Sequence, residues 1–163
     1  MSTHSPVEIR DRYAVLRTIA TRWMDNDQYG HLNNVVYHAL FDSAVNAYLI
    51  DSGALRPGAE DVEMLGLVVE SHCQYQAPAG FPRPIEIGLR VGRVGKSSVR
   101  YEFAAFIEGR EQACALGYYV HVYVDPLYRR PLLHLPAALR DALRRLEVTG
   151  GDPGDGIGDQ PDL

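Results

Sequence analysis

The stretch from Asp25 to Asn34 holds the densest set of chemically active side chains in the chain. It reads Asp25-Asn26-Asp27-Gln28-Tyr29-Gly30-His31-Leu32-Asn33-Asn34, and an almost wholly apolar segment follows it at once. If a helix begins there, its first turn presents unpaired N–H groups and a partial positive charge. A carboxylate beside such a helix end can accept a proton or attack a carbonyl carbon, while the N–H groups bind the developing oxyanion. This combination suits acyl transfer to water.

Each of these residues also has an ordinary structural role. Asp25 and Asp27 are typical of turns and caps, and Gly30 is typical of a turn that requires a positive φ. Asn33 and Asn34 are placed to cap the helix that follows. Taken singly, each residue therefore favours a structural reading, and only their combination indicates a site.

Other catalytic chemistries lack their usual motifs. The chain has no G-x-S-x-G elbow, and neither Cys73 nor Cys114 lies in a nucleophile signature. A zinc site built from His31, His38 and a carboxylate is disfavoured, because no H-E-x-x-H or C-x-x-C pair is present. We therefore expect no metal and no cofactor. A thioester suits the remaining groups because its thiolate leaves readily, without a strong general acid.

The segment after the turn predicts a long buried helix from Asn34 to about Ser52. Its main polar stripe is His38, Asp42 and Asn46, spaced four apart and so on one face. A helix that is apolar on nearly every other face must be wrapped by other elements. Gly53 stands where a helix C′ residue is expected.

The rest of the chain favours antiparallel strands. We predict one strand or a bent one over 7–24, a final helix from Leu135 to about Val148, and further strands over 66–76, 85–94, 99–107 and 113–124. We expect Gly117 to mark a bulge or a close backbone approach. The order of these elements along the chain predicts an α+β fold in which an antiparallel sheet curls around one helix. Residues 1–148 would form this domain, and 149–163, rich in Gly, Asp and Pro, a disordered tail.

Composition and charge narrow the class of protein. The net charge of −5 provides no general electrostatic attraction for nucleic acid or an acidic membrane. Residues 1–10 contain no signal-like apolar region, and no run approaches the roughly 18 apolar residues of a membrane span. Two thiols without metal spacing are expected to stay reduced. We therefore expect a cytoplasmic protein with no nucleic-acid or membrane partner.

The run from Arg22 to Tyr37 resembles the signature R-[YFW]-x-D-x-D-x-x-G-H-x-N-N-x-x-Y. That signature marks hotdog-fold acyl-CoA thioesterases of the 4-hydroxybenzoyl-CoA thioesterase type. Weaker similarities at Tyr75, Pro78 and the 95–98 turn extend the resemblance to about residues 12–147. The His31–Asn34 run is similar to the branch that acts on fatty acyl thioesters. The implied hotdog fold, a curved sheet around a central helix, agrees with the architecture predicted from the pattern.

The resemblance implies roles for the residues of the turn. Asp27 would be the general base or the nucleophile, and Asp25 would hold the loop. His31, Asn33 and Asn34 would orient Asp27 or line the acyl end of the site. The backbone N–H groups that polarise the thioester carbonyl would be those of Asn34, Val35 and Val36.

The resemblance also implies binding residues and a partner subunit. Tyr37 and His38 would face the pocket or the partner, and the site would lie across the interface of a homodimer or homotetramer. A single hotdog domain would leave a sheet edge and one helix flank uncovered, which also favours association. The CoA phosphates would need surface cations. The candidates are Arg93 and Lys96, with Arg83, Arg129 and Arg130.

Competing functions make different demands on the sequence. A hotdog hydratase would resemble D-x-N-P-x-H, and the chain has no Asn-Pro-x-His run. A regulator linked to DNA would carry a helix-turn-helix segment, and we see none before residue 7. A non-catalytic acyl-CoA binder, a vestigial site and an acyl carrier protein thioesterase remain open. The prediction is hydrolysis of an acyl-CoA by Asp27.

Overall fold

One antiparallel sheet of five strands forms the framework of the fold. The structure is a computed structural model that describes residues 8–148. Its strands lie in the spatial order β1-β3-β4-β5-β2, so β1 and β2 are the edges. The strands are β1 (Val15–Ile19), β2 (Leu65–Tyr75), β3 (Ile85–Val94), β4 (Ser98–Ile107) and β5 (Ala113–Val124). The four strands after the long helix lie within a residue of the predicted bounds.

The first predicted strand was too long. Of the range 7–24, only Val15–Ile19 is a strand, and short 3-10 turns stand at Arg10–Arg12 and Trp23–Asp25. The second turn forms because the Arg22 N–H donates to the Asp25 carboxylate while the Asp25 N–H donates to the Arg22 carbonyl oxygen. These local bonds end the extended conformation before the chain reaches Asp27.

Helix α1 (Asn34–Asp51) packs into the concave face of the sheet. Phe41 and Val45 are fully buried, and the Phe41 ring stacks on Phe103 with centroids 4.9 Å apart. The approach depends on Gly117, because a Cβ there would lie 2.6 Å from the Phe41 ring and 2.7 Å from the His72 carbonyl oxygen. The close approach predicted at Gly117 is confirmed. The helix ends at Asp51, and Gly53 lies at the predicted C′ position with a φ of +76°.

One flank of α1 and the β2 edge stay uncovered in the single chain. On the helix, Val35 and Ile50 are exposed. On the edge strand, Leu67, Val68 and Val69 are exposed, and the pairing with β5 shifts register between Val68 and Glu70. The helix is therefore covered by its own sheet on one side only, as expected for a lone domain of this kind.

A second helix, α2 (Ala137–Arg144), covers part of the remaining core and is shorter than predicted. Leu139 and Leu143 are buried, whereas Arg140 and Arg144 face outward. The predicted tail over 149–163 lies outside the described residues. Among residues 8–148, no helix is long and apolar enough to cross a membrane.

Candidate active site

Asp25 is a structural residue of the turn. Its carboxylate is buried, with Oδ2 accepting the Arg22 backbone N–H at 2.7 Å and Oδ1 accepting Arg22 Nη2 at 2.8 Å. The Asp25 carbonyl oxygen also accepts the Asn33 N–H at 2.8 Å, which ties the turn to the start of α1. Hydrogen bonds from Arg22 hold the pKa of the Asp25 carboxyl below its usual range. Both oxygens are thus engaged in holding the loop.

Asp27 has a differently arranged carboxylate. Its Oδ1 accepts the backbone N–H groups of Tyr29 at 2.8 Å and His31 at 3.2 Å. The turn closes through the Gly30 N–H, which donates to the Asp27 carbonyl oxygen, and Gly30 has a φ of +77°. Among residues 8–148, no hydrogen-bond donor contacts Oδ2. One oxygen is therefore fixed in place by the backbone, while the other has no donor among the described residues.

The loop is clamped against the connection between β2 and β3. The Leu32 N–H donates to the Ala79 carbonyl oxygen at 2.7 Å, and the Phe81 N–H donates to Asn26 Oδ1 at 3.0 Å. Gly80 permits this contact, because a Cβ there would lie 2.8 Å from the Gly30 carbonyl oxygen. Asp27 is therefore positioned by two chain segments that are about fifty residues apart in sequence.

The N-terminus of α1 is capped by Asn33, as its residue type predicts. Asn33 Oδ1 accepts the Val35 N–H at 3.3 Å, and the Asn33 carbonyl oxygen accepts the Val36 N–H at 2.9 Å. Two of the three amides expected to bind an oxyanion therefore already have acceptors. The Asn34 N–H has none among the described residues. The Val35 contact is long, and a stronger acceptor can replace it.

The other predicted residues of the loop and first turn differ in exposure. The His31 side chain is exposed beside the Asp27 turn, and its contacts with Asp27 are made by its backbone. Tyr37 is only 3% exposed, and its ring lies edge-on to Tyr75 with centroids 5.2 Å apart. Tyr37 is therefore packed in the core of the single chain.

His38 begins the polar stripe of α1 and is half-buried. Its ring stacks on Tyr119, whose hydroxyl donates to the His38 carbonyl oxygen at 2.7 Å. His38 Nδ1 also lies 3.3 Å from that hydroxyl oxygen. Because the hydroxyl proton is already donated, Nδ1 must carry the hydrogen in this contact.

The structure does not bring Arg93 and Lys96 to Asp27 within one chain. Both are exposed near the β3–β4 hairpin, at the end of the sheet where Leu67 pairs with Val122. The helix start lies at the opposite end, beside Tyr75. At about 3.3 Å per residue, Leu67 and Tyr75 are roughly 25 Å apart along the strand.

Two further observations concern groups that could hold a ligand. Among residues 8–148, no cluster of three or more His, Cys, Asp or Glu side chains is arranged to hold a metal ion. Tyr75 donates its hydroxyl to the Asn34 carbonyl oxygen at 3.1 Å. In the sequence, Tyr75 is only a point of resemblance to the thioesterase family. No sequence signal identifies that contact, because it depends on how the end of β2 lies against α1.

The chain is similar to known proteins both in family and in fold. A family model described as the thioesterase-like superfamily matches residues 21–143. The protein PA5185 of Pseudomonas aeruginosa strain PAO1 is 51% identical. The match covers 90% of this chain and 100% of that one, with a TM-score of 0.84. A comparison with curated proteins found no match.

Two more distant structures share the fold. Slr0204, a 1,4-dihydroxy-2-naphthoyl-CoA thioesterase from Synechocystis, is 15% identical over 79% of this chain and 94% of its own, with a TM-score of 0.72. BH1999, a gentisyl-coenzyme A thioesterase, is 22% identical over 80% of this chain and 99% of its own, with a TM-score of 0.67. The predicted hotdog fold is confirmed.

Proposed function

Since this chain belongs to the thioesterase-like superfamily and is a thioester hydrolase, we propose that it cleaves an acyl-CoA into a free carboxylic acid and CoA at Asp27. The observation that carries this proposal is the asymmetry of the Asp27 carboxylate. Two backbone N–H groups hold Oδ1, while Oδ2 accepts no hydrogen bond among the described residues, in the loop that leads into α1. The carboxylate is thus oriented without being neutralised by a cation.

Two chemical routes use this geometry. As a general base, Asp27 Oδ2 takes a proton from water while the water oxygen attacks the carbonyl carbon. The C–S bond then breaks, and the CoA thiolate recovers the proton. As a nucleophile, Oδ2 attacks the carbonyl carbon directly and expels the thiolate. Water then hydrolyses the resulting anhydride and restores the carboxylate.

The oxyanion would be bound by amides at the start of α1. The Asn34 N–H is the first donor, since it has no acceptor in the described structure, and the Val35 N–H is the second. The Val36 N–H already donates to the Asn33 carbonyl oxygen, so it contributes through the helix dipole. His31, exposed beside the Asp27 turn, would orient the water or the acyl group, and Asn33 sets the direction of the Val35 N–H.

His38 is the residue of α1 that we place near the acyl end of the site. It lies one turn beyond the helix start, roughly 6 Å along the axis. The resemblance favours a fatty acyl chain, whereas two structural neighbours act on aromatic acyl-CoA thioesters. A substrate panel must therefore include both classes, each offered on CoA and on an acyl carrier protein.

A homodimer or homotetramer completes the proposed site. If two copies of the chain pair through their exposed β2 edges about a two-fold axis, the two β2 strands are antiparallel. The hairpin end of one copy then lies beside the helix start of the other. This arrangement would bring the partner's Arg93 and Lys96 toward the CoA phosphates.

We also propose that the protein acts in the cytoplasm.

The test is release of free thiol from acyl-CoA substrates of varied chain length and of aromatic type. Wild type should hydrolyse at least one class, and Asp27→Asn should lose about 10²–10⁴-fold in kcat. Asn keeps an oxygen for the Tyr29 and His31 N–H groups, so the fold should be unaffected. Asp141→Asn on α2 is the matched control and should keep full activity. Failure of wild type on every substrate, on CoA or on carrier protein, would exclude the proposed reaction.

A further inference from the structure

Tyr75 contacts the first residue of the helix that carries the proposed oxyanion site. It is the last residue of β2, and its hydroxyl donates to the Asn34 carbonyl oxygen at 3.1 Å. Its ring packs edge-on against Tyr37, yet Tyr75 remains 46% exposed. The residue therefore bridges the sheet and the helix at the edge of the proposed active site.

The hydrogen bond acts on a particular peptide group. The Asn34 carbonyl and the Val35 N–H belong to the same planar, resonance-stabilised amide. In a helix, the carbonyl of the first residue already accepts the N–H four residues later. A second donor on that oxygen draws more electron density toward it, which leaves the Val35 N–H more positive. Linked hydrogen bonds of this kind strengthen one another by about 10–30% per bond.

We propose that Tyr75 is a positioning residue that fixes the Asn34–Val35 peptide and strengthens the Val35 N–H as a donor to the thioester carbonyl oxygen. This inference rests on the proposed function. The Val35 N–H now donates to the neutral amide oxygen of Asn33 at 3.3 Å. An oxyanion is a stronger acceptor than a neutral amide. The substrate carbonyl oxygen would displace the Asn33 side chain on binding, and the new contact strengthens as negative charge develops on that oxygen, so most of the gain falls on kcat.

The hydroxyl keeps its proton over the range in which the enzyme would be assayed. Burial, followed by the neighbouring Cys73 thiol, raises the pKa of Tyr75 to about 12. Burial likewise raises the pKa of Cys73, which therefore stays a neutral thiol near neutral pH. The contribution of Tyr75 should consequently be constant between about pH 6 and pH 10, unlike that of a titrating group.

The first test is Tyr75→Phe, which keeps the ring and its contact with Tyr37 but removes the hydroxyl. A weakening of about 10–30% in the charge-assisted hydrogen bond to the oxyanion predicts a fall in kcat of up to about fivefold, with KM within twofold of wild type. Tyr48→Phe is the matched control. Its hydroxyl also donates to a backbone carbonyl, that of Ala142, at 2.6 Å, but it lies far along α1 from Asn34. This control should keep the wild-type kcat and KM.

The second test measures the carbonyl directly. Octanoyl-CoA and benzoyl-CoA labelled with ¹³C at the thioester carbonyl are bound to Asp27→Asn, which should not turn them over. Infrared difference spectroscopy then reports the carbonyl stretch. Adding Tyr75→Phe should move the stretch back toward its value in water, because the Val35 donor is weaker. Adding Tyr48→Phe should leave it unchanged.

The outcomes separate this inference from the proposed function. If wild type hydrolyses none of the acyl-CoA substrates, the proposed function fails. If wild type is active and Asp27→Asn is not, but Tyr75→Phe matches wild type in kcat and in carbonyl frequency, the role of Tyr75 is refuted while the function stands. A rise in KM alone, with kcat and frequency unchanged, also refutes it. A fall in kcat with a shifted frequency, both absent in Tyr48→Phe, supports it.

Discussion

Two aspartates separated by one residue differ because their oxygens meet different partners. Arg22 engages both oxygens of Asp25, including a charged contact at 2.8 Å. Asp27 has one oxygen held by neutral backbone N–H groups and one without a donor among the described residues. The charge-assisted pair of Asp25 stabilises the turn, whereas the second oxygen of Asp27 remains available to another molecule. Sequence spacing alone does not distinguish the two.

Asp25→Asn should destabilise the protein. The Arg22 guanidinium loses its charged acceptor, and the expected cost is about 1–3 kcal/mol at pH 7. Because the folded pKa of Asp25 is lowered, this stabilisation is present above the unfolded value of about 3.9 and is lost as pH falls through the folded value. Thermal unfolding at pH 7 and pH 3 tests this. Equal melting temperatures for wild type and variant at pH 7 would contradict the structural role.

At the scale of the element, helix α1 serves both the core and the site. Its middle is buried through Phe41 and Val45, so the sheet sets the direction of its axis. Its first turn is held by the Asn33 cap and by the Tyr75 hydroxyl. The amides that would bind an oxyanion are therefore positioned by packing some distance along the same helix.

Asn33→Asp should separate helix stability from catalysis. Asp caps a helix about as well as Asn, and its negative charge interacts favourably with the helix N-terminus. The melting temperature should hold or rise. The same charge opposes a developing oxyanion at Val35, so kcat should fall about tenfold or more. A kcat equal to that of wild type at pH 8 would argue against oxyanion binding at this turn.

Gly117→Ala should loosen the contact between helix and sheet. The new methyl group would meet the Phe41 ring and the His72 carbonyl oxygen, both under 3.0 Å from its ideal position. Overpacking of this kind costs about 1–3 kcal/mol. Chemical denaturation should show a lower midpoint, and combination with Phe41→Leu should recover part of the loss. No recovery in the double variant would place the strain at the backbone contact with His72.

At the scale of the whole molecule, the single chain leaves apolar surface and a strand edge open. Leu67, Val68 and Val69 lie on that edge, and Val35 is 63% exposed beside the helix start. Exposed strand edges pair readily with a second chain. Arg93 and Lys96 lie at the end of the sheet away from Asp27, so the proposed CoA contacts require that second chain.

Val69→Lys should disrupt the proposed oligomer, since it places a charge on the β2 edge. We expect wild type to sediment as a dimer or tetramer and the variant as a folded monomer with little activity. Val62→Lys, also an exposed valine but in the segment before β2, is the control and should retain both assembly and activity. A fully active wild-type monomer in analytical ultracentrifugation would exclude the shared site.

The sequence by itself determined the features that depend on neighbouring residues. Local propensity and periodicity account for the capped start of α1, for its end before Gly53 and for the alternation of apolar and polar residues in β3 and β4. The Asp25–Asn34 motif likewise lies within one short stretch of sequence. The tertiary structure decided what depends on distant segments meeting. It shortened β1, placed Arg93 away from Asp27, engaged the Val36 amide and brought the Tyr75 hydroxyl to Asn34. Strand register and helix packing set these contacts, and neither is encoded within any one stretch of the chain.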